Sequence, residues 1–147
     1  MTGWYVMALE SGRAAKLDVS VSVLNRVMLY LDGATMDGGA AYGYQASSVP
    51  SPEMTAEGLL CRQYIGWKRD HPPMVQGISN LTAGAPFDMT KQDVYYWYYA
   101  SQVLRNFGGS PWRQWNDVMK TELPAGQLKT GVESGSWEPE RDRWGKS

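Results

Sequence analysis

The sequence predicts an all-α fold of three helical hairpins, and two observations lead to that prediction. First, apolar residues recur at helical spacing in six segments that glycine and proline separate. Second, the six segments form three pairs that share one plan, repeated every ~40–50 residues: an apolar helix, a glycine break and a second helix. Stacked hairpins bury their faces on one another, so we place them at about 1–35, 50–85 and 90–126 in one domain, followed by a polar tail, 127–147.

The first hairpin begins with strong helix formers from Trp4 to Glu10, and Ser11-Gly12 is the predicted end of that helix. Asp18 or Ser20 can cap the second helix. Its apolar residues follow the i, i+3, i+4, i+7 pattern at Leu24, Val27, Met28 and Leu31. A glycine-rich loop, 36–45, comes next. It lacks the Gly-Lys-Ser/Thr ending of a phosphate-binding loop, so we expect its glycines to serve a tight turn.

The second hairpin has a well-marked start at Ser51-Pro52-Glu53, which combines a capping serine, a proline at the first helical position and an acid in the first turn. This helix should end near Gly66. Pro72-Pro73 should begin a fourth helix that ends near Gly84. Because the first helix of each pair is the more apolar, we expect the first helices to line the inside of the array.

The third hairpin carries five consecutive aromatic residues: Tyr95, Tyr96, Trp97, Tyr98 and Tyr99. In a helix they point in every direction around the axis, which is typical of a helix buried on all sides. Buried tyrosine and tryptophan need partners for their polar tips. We therefore expect this helix in the middle of the array or in the wall of a cavity. Gly108-Gly109 should end it, and Ser110-Pro111 should begin the sixth helix.

Composition excludes several classes of function. The formal net charge of −1 gives no electrostatic reason to expect nucleic acid. No segment approaches the ~18 consecutive apolar residues of a membrane span. The one cysteine, Cys61, excludes an internal disulfide framework. The first ten residues lack the basic lead of a signal peptide, which is compatible with the cytoplasm. We also expect the chain to be a piece of a longer protein.

Three groups of residues resemble one protein family. Residues 127–137 begin with Gln, end in Gly-Ser-Trp, and are similar to a Gln…Gly-Ser-Trp motif with longer spacing. Residues 37–45, Asp-Gly-Gly-Ala-Ala-Tyr-Gly-Tyr-Gln, resemble an Asp-Gly-Gly-Phe-Gly inter-repeat loop. Residues 54–64 and 93–100 resemble repeat helices of uncharacterised bacterial members. The family is that of the prenyltransferase/squalene-oxidase-repeat proteins, and the likeness covers nearly the whole chain.

The resemblance implies part of an α/α toroid, the fold of terpenoid cyclases and of protein prenyltransferase β subunits. A full toroid has more hairpins than these three, so the resemblance implies an open arc. Squalene-hopene-type cyclases protonate their substrate with an Asp-x-Asp-Asp run, which this sequence lacks. Cys61 and His71 do not match the zinc-ligand motif of the prenyltransferases. We therefore expect no catalytic residue, no metal and no cofactor in this chain.

Eight residues are candidates for ligand contact: Glu57, Arg62, Asp93, Tyr95, Tyr96, Trp97, Tyr98 and Tyr99. Aromatic walls can stabilise cations, as they do in the cyclases that the chain resembles. Each candidate also has a structural interpretation, which we favour. Asp93 would be a helix cap, the aromatic residues would be core packing, and Glu57 or Arg62 would form an inter-helix ion pair.

The leading hypothesis is a non-catalytic α/α-toroid segment that serves as a binding or assembly scaffold. We expect it to self-associate through an exposed hairpin face, because exposed apolar edges mark association surfaces. The alternative is part of an isoprenoid cyclase or prenyltransferase-like enzyme, with an aromatic-lined cavity for an apolar or isoprenoid ligand and with its catalytic acid outside this chain. A groove that binds polysaccharide or peptide is a third hypothesis, which no specific motif selects.

Overall fold

The computed structural model describes residues 2–145 and is predominantly helical, which confirms the all-α prediction. All six predicted helices are present: α1 (Thr2–Ala14), α2 (Val21–Ala34), α3 (Pro52–Tyr64), α4 (Pro72–Gly84), α5 (Val94–Phe107) and α6 (Gly109–Ala125). Helix α1 continues past its predicted end at Ser11-Gly12. Ser20 occupies the N-cap position of α2, but its side chain makes no capping hydrogen bond. In the described part of the chain, no helix is long and apolar enough to cross a membrane.

The predicted glycine-rich loop contains a small antiparallel hairpin that the sequence did not lead us to expect. Strands β1 (Thr35–Met36) and β2 (Ala41–Tyr42) pair in the register Thr35 with Tyr42 and Met36 with Ala41. A 3₁₀ turn, Asp37–Gly39, joins the strands. Gly38 and Gly39 have φ values of 63° and 106°, a backbone conformation that favours glycine and lets the turn close.

The helices pack so that the first members of the hairpins are neighbours. Helix α3 lies between α1 and α5, while α4 packs on α3 and α6, and α6 packs on α5. The pairs α3–α4 and α5–α6 pack as the predicted second and third hairpins. Closure of such an array into a toroid stays a prediction.

Helix α3 is the central element, with nine buried residues between Glu53 and Arg62. Ser51 caps it by accepting a hydrogen bond from the Met54 N–H at 3.3 Å. Gly58 allows the ring of Tyr42 to lie against the helix backbone, because a Cβ at this position would be 2.4 Å from the ring. The small hairpin is thereby held on α3, and the ring of Tyr42 is part of the core.

Helix α5 is not buried on all sides, so that prediction is wrong. Its buried face carries Tyr96, Trp97, Tyr99, Ala100, Val103, Leu104 and Phe107. Val94 and Tyr98 are exposed, with 58% and 42% of their surface accessible. The reason is geometric: α5 packs on α3 and α6, and these neighbours leave Val94 and Tyr98 accessible. Rings of α5 join Phe87 and Trp115 in one aromatic cluster, in which the Phe87 and Trp97 centroids are 4.5 Å apart.

The tail returns to the start of α5. Trp137 Nε1 donates to the carbonyl of Leu123 in α6 at 2.8 Å. A 3₁₀ turn, Pro139–Arg141, follows within the predicted polar tail. Asp142 Oδ2 then accepts from the N–H of Val94 at 2.7 Å. The tail is therefore attached both to α6 and to the N-terminus of α5.

Candidate functional site

The eight predicted contact residues do not form one site. They divide into a cluster around Glu57, a cluster around Arg62, a carboxyl pair at Asp93, and aromatic side chains in the core or on the surface. Ligand binding by these residues stays a prediction. What the structure provides is the internal partner of each one.

Glu57 joins three helices. Its Oε1 accepts the N–H of Gly3 in α1 at 2.7 Å, and its Oε2 accepts the hydroxyl of Tyr95 in α5 at 2.6 Å. Burial raises the pKa of Tyr95 and the hydrogen bond to Glu57 raises it further, so the phenol stays protonated and serves as a donor. Because Glu57 lies on α3, its carboxyl group links the three first helices of the hairpins.

Two further ionisable groups lie beside this cluster. Tyr99 is fully buried, and its hydroxyl has no hydrogen-bond partner among the described residues. Burial and the charge of Glu57 raise its pKa to about 12. Cys61 is also buried, and burial raises the pKa of its thiol to about 12. A thiol with that pKa is neutral near pH 7, so Cys61 acts as a packing residue there rather than as a nucleophile.

Arg62 forms the inter-helix ion pair that the structural interpretation predicted, and its partner is Asp32 of α2. Its Nη2 donates to Asp32 Oδ1 at 2.5 Å, and its Nε donates to the hydroxyl of Tyr42 at 3.0 Å. The guanidinium lies 4.7 Å from the ring centroid of Trp67. Burial lowers the pKa of Arg62, but these hydrogen bonds outweigh burial and the net shift is upward. The side chain is therefore a charged anchor for α2 and the small hairpin.

Asp93 caps α5, as the structural interpretation predicted, by accepting the N–H of Tyr96 at 2.8 Å. It also belongs to a buried carboxyl pair with Glu53, which sequence reasoning missed as a site residue. The guanidinium of Arg143, in the tail, pairs with Glu53 and lies 3.7 Å from Asp93 Oδ2. The signal available in the sequence was that each helix, α3 and α5, begins with an acid. That the N-termini of α3 and α5 lie side by side depends on the tertiary structure and could not be seen in the sequence.

The two carboxyl groups shift in opposite directions. Burial raises the pKa of Asp93, and the carboxylate of Glu53 raises it further. For Glu53, burial also acts upward, but hydrogen bonds from Ser51, from its own N–H and from Asp93, with the charge of Arg143, bring the net pKa below its ordinary value. Glu53 is therefore the ionised member at neutral pH, and Asp93 holds a proton more readily.

The pair lines a cleft of about 450 Å³ between the N-termini of α3 and α5 and the tail. Tyr96 and Trp97 contribute to its wall, together with Lys91, Asp88, Gln92 and Arg141. The hydroxyl of Tyr96 donates to the carbonyl of Ala85 at 2.6 Å. The other aromatic residues of α5 lie elsewhere: Tyr98 stacks on Trp4 with centroids 6.1 Å apart, outside this cleft. The five aromatic residues therefore do not wall a common cavity.

The described residues, 2–145, contain no group of three or more His, Cys, Asp or Glu side chains placed to hold a metal ion. His71 contacts the ring of Trp67 at a centroid distance of 4.1 Å, at the start of α4.

The first hairpin exposes a series of large apolar side chains, which we call the N-terminal edge. Its members are 45% to 70% accessible: Trp4, Tyr5, Leu17, Val21, Leu29 and Tyr30. A groove of about 310 Å³ lies beside it, between the start of α1, the end of α2 and α3, and Tyr30, Tyr44 and Met54 are among its lining residues. Leu31 and Ala34 are the buried residues of α2, and Val27 packs half-buried against the core.

No family model, no curated protein and no solved structure matches this chain. The proposals below therefore depend on the geometry alone.

Proposed function

We propose that the chain is a non-catalytic helical scaffold that associates with a second copy of itself through the N-terminal edge. The observation that carries the proposal is the exposure of six large apolar side chains on α1, α2 and their connection. Contiguous exposed apolar surface on a soluble domain marks an interaction site more often than a chance feature.

The candidate chemical groups support a scaffold rather than an enzyme. Glu57, Arg62 and Asp93 each make contacts that join two or more elements of the fold. Loss of such contacts costs stability, which is a sufficient reason for these residue types at these positions. The enzyme alternative requires a cavity walled by the aromatic residues of α5, and their division between core and surface gives it no support.

A second copy is a suitable partner because the edge carries no net charge. Residues 2–34 contain three basic and three acidic side chains: Arg13, Lys16, Arg26, Glu10, Asp18 and Asp32. Two such edges can meet without the like-charge repulsion that opposes association of strongly charged surfaces. In a twofold dimer both copies use the same patch, so each of these apolar side chains is buried twice in the interface.

Sedimentation equilibrium of the wild type and of Leu29→Glu tests the proposal. Leu29 is 70% exposed, so the substitution should leave the monomer folded. Burying one leucine stabilises an interface by about 1.5–3 kcal/mol, so two symmetric losses should raise the dimer dissociation constant by at least ~100-fold.

Val132→Glu is the matched control, because Val132 lies in the tail and is fully exposed. It adds the same charge away from the edge and should leave the dissociation constant unchanged. A wild type that sediments as a monomer at all accessible concentrations contradicts the proposal. Equal effects of the two substitutions would show that added charge, and not the N-terminal edge, governs association.

A further inference from the structure

The cleft between the starts of α3 and α5 has the chemistry of a cation site, and a side chain of the same chain occupies it. Two carboxyl groups, Glu53 and Asp93, are 5% and 8% exposed, and they face the guanidinium of Arg143. The residues of the pair come from different helices, and the cation comes from the tail. This site is separate from the N-terminal edge and goes beyond the scaffold function proposed above.

Glu53 has acceptor capacity that the fold does not fill. Its Oε1 pairs with Arg143, while its Oε2 is buried and has no hydrogen-bond partner among the described residues. Asp93 can fill this capacity only when its own carboxyl group is protonated, which its raised pKa favours. A planar cation with several N–H groups can satisfy both oxygens of a carboxylate, as a point-like ammonium cannot.

The occupant is the most exposed of the three charged side chains in this cluster. The side chain of Arg143 is 59% exposed, although one end of it reaches the buried carboxyl group of Glu53. Its main-chain N–H donates to the carbonyl of Gln92 at 3.0 Å, and the neighbouring Asp142 accepts from Val94. These contacts fix the main chain of the tail, whereas the exposed side chain of Arg143 is the part of the cluster that can leave without opening the core.

We propose that this cleft is a binding site for the guanidinium group of an arginine side chain in another polypeptide, and that Arg143 occupies it in cis as an internal competitor. Removal of Arg143 leaves a lining with three carboxyl groups, of Glu53, Asp88 and Asp93, against two cations, Lys91 and Arg141. Tyr96 and Trp97 supply aromatic surface on which a guanidinium can stack.

The competition has a calculable consequence. A side chain tethered by a short segment is present at its site at an effective concentration on the order of millimolar. A free ligand with a millimolar intrinsic dissociation constant therefore competes with it on about equal terms in the wild type. Replacing the tethered cation should improve the apparent affinity for a free guanidinium ligand by about 2-fold, because the effective concentration of the tethered side chain is about equal to that dissociation constant.

The test uses the full chain and N-acetyl-argininamide as the probe, with binding followed by NMR of the backbone amides around Val94. Arg143→Ala should bind the probe about 2-fold more tightly than the wild type. Arg141→Ala is the matched control, since Arg141 lines the same cleft but the observed contacts to the carboxyl pair come from Arg143. It should bind as the wild type does. N-acetyl-citrullinamide, which is nearly isosteric but neutral, should not bind to Arg143→Ala.

Two further variants identify the carboxyl group that binds the guanidinium. In the Arg143→Ala background, Glu53→Gln should abolish the gain, because the amide loses the charge that holds the guanidinium. If Glu53→Gln does not fold, as judged by circular dichroism, Asp93→Asn replaces it, since asparagine also caps a helix. The proposal is overturned if folded Arg143→Ala binds no more tightly than the wild type, or if it binds the arginine and citrulline derivatives equally.

Discussion

Replacing Tyr95 with phenylalanine tests whether the candidate contact residues stabilise the fold or serve to bind a ligand. The substitution removes only the hydroxyl that donates to Glu57 Oε2 at 2.6 Å. A hydrogen bond to a carboxylate stabilises by about 1.5–3 kcal/mol, and the half-buried position of Tyr95 argues for about 2 kcal/mol. For a chain of this size, that loss lowers the melting temperature by about 4–8 °C. Thermal unfolding followed by circular dichroism measures it.

The partner of Tyr95 is identified by a double-mutant cycle with Glu57→Gln. Residues in direct contact should give a coupling free energy of at least ~1 kcal/mol. Tyr98→Phe is the control, because Tyr98 lies on the same helix but is 42% exposed, and its effect should stay within ~0.5 kcal/mol. A coupling free energy near zero, or a Tyr95→Phe variant more stable than the wild type, would refute the structural interpretation and favour a ligand contact.

Three further predictions follow from individual contacts. Gly58→Ala should destabilise by about 1–3 kcal/mol in urea unfolding, because the new methyl group meets a ring at 2.4 Å, whereas Gly84→Ala, with open space around it, should cost nothing. Cys61, with its thiol pKa near 12, should resist iodoacetamide at pH 8 in the native protein and react once guanidinium unfolds it, and native labelling at the rate of a free thiol would contradict its burial. The pKa of Glu53 is lowered in the fold, so its ionised form stabilises the fold above the ordinary carboxyl pKa of 4.5, and this contribution is lost as pH falls through the lowered value. Arg143→Ala should therefore reduce stability at neutral pH and leave it unchanged in strong acid, and a loss that persists in acid would mean that packing, not charge, is involved.

The helical elements were predictable because their signals are local. Ser51-Pro52 and Asp93 each mark a helix start by chemistry that acts over three or four residues, and both cap as expected. The small hairpin, β1 with β2, was not predicted, because two-residue strands have no periodicity to detect. Its position depends on Gly58 in α3, which no local rule connects to it.

The central helix was harder to identify than the helices themselves. The aromatic run 95–99 made α5 the expected centre, yet α3 is the most buried helix. Helix α3 buries Glu53, Glu57 and Arg62, and apolar periodicity cannot indicate a buried face that carries charges. These side chains can be buried because they are paired, and their partners lie on other helices, on strand β2 and in the tail.

The carboxyl cleft could not be predicted from sequence at all. Glu53 and Arg143 are 90 positions apart, and their contact depends on the path of a tail without helical signals. The acids at positions 53 and 93 were visible, but each has a sufficient local role at a helix start. Their pairing needs the packing of α3 on α5, which is a property of the assembled core.

The central claim is that the N-terminal edge is an interface between two copies, and amide hydrogen exchange at two protein concentrations tests it most directly. At a concentration that favours the dimer, residues 2–34 should exchange more slowly than in dilute solution, while α6 and the tail should exchange at the same rate. Protection that does not depend on concentration, or that rises in α6 instead of α1 and α2, would contradict the claim.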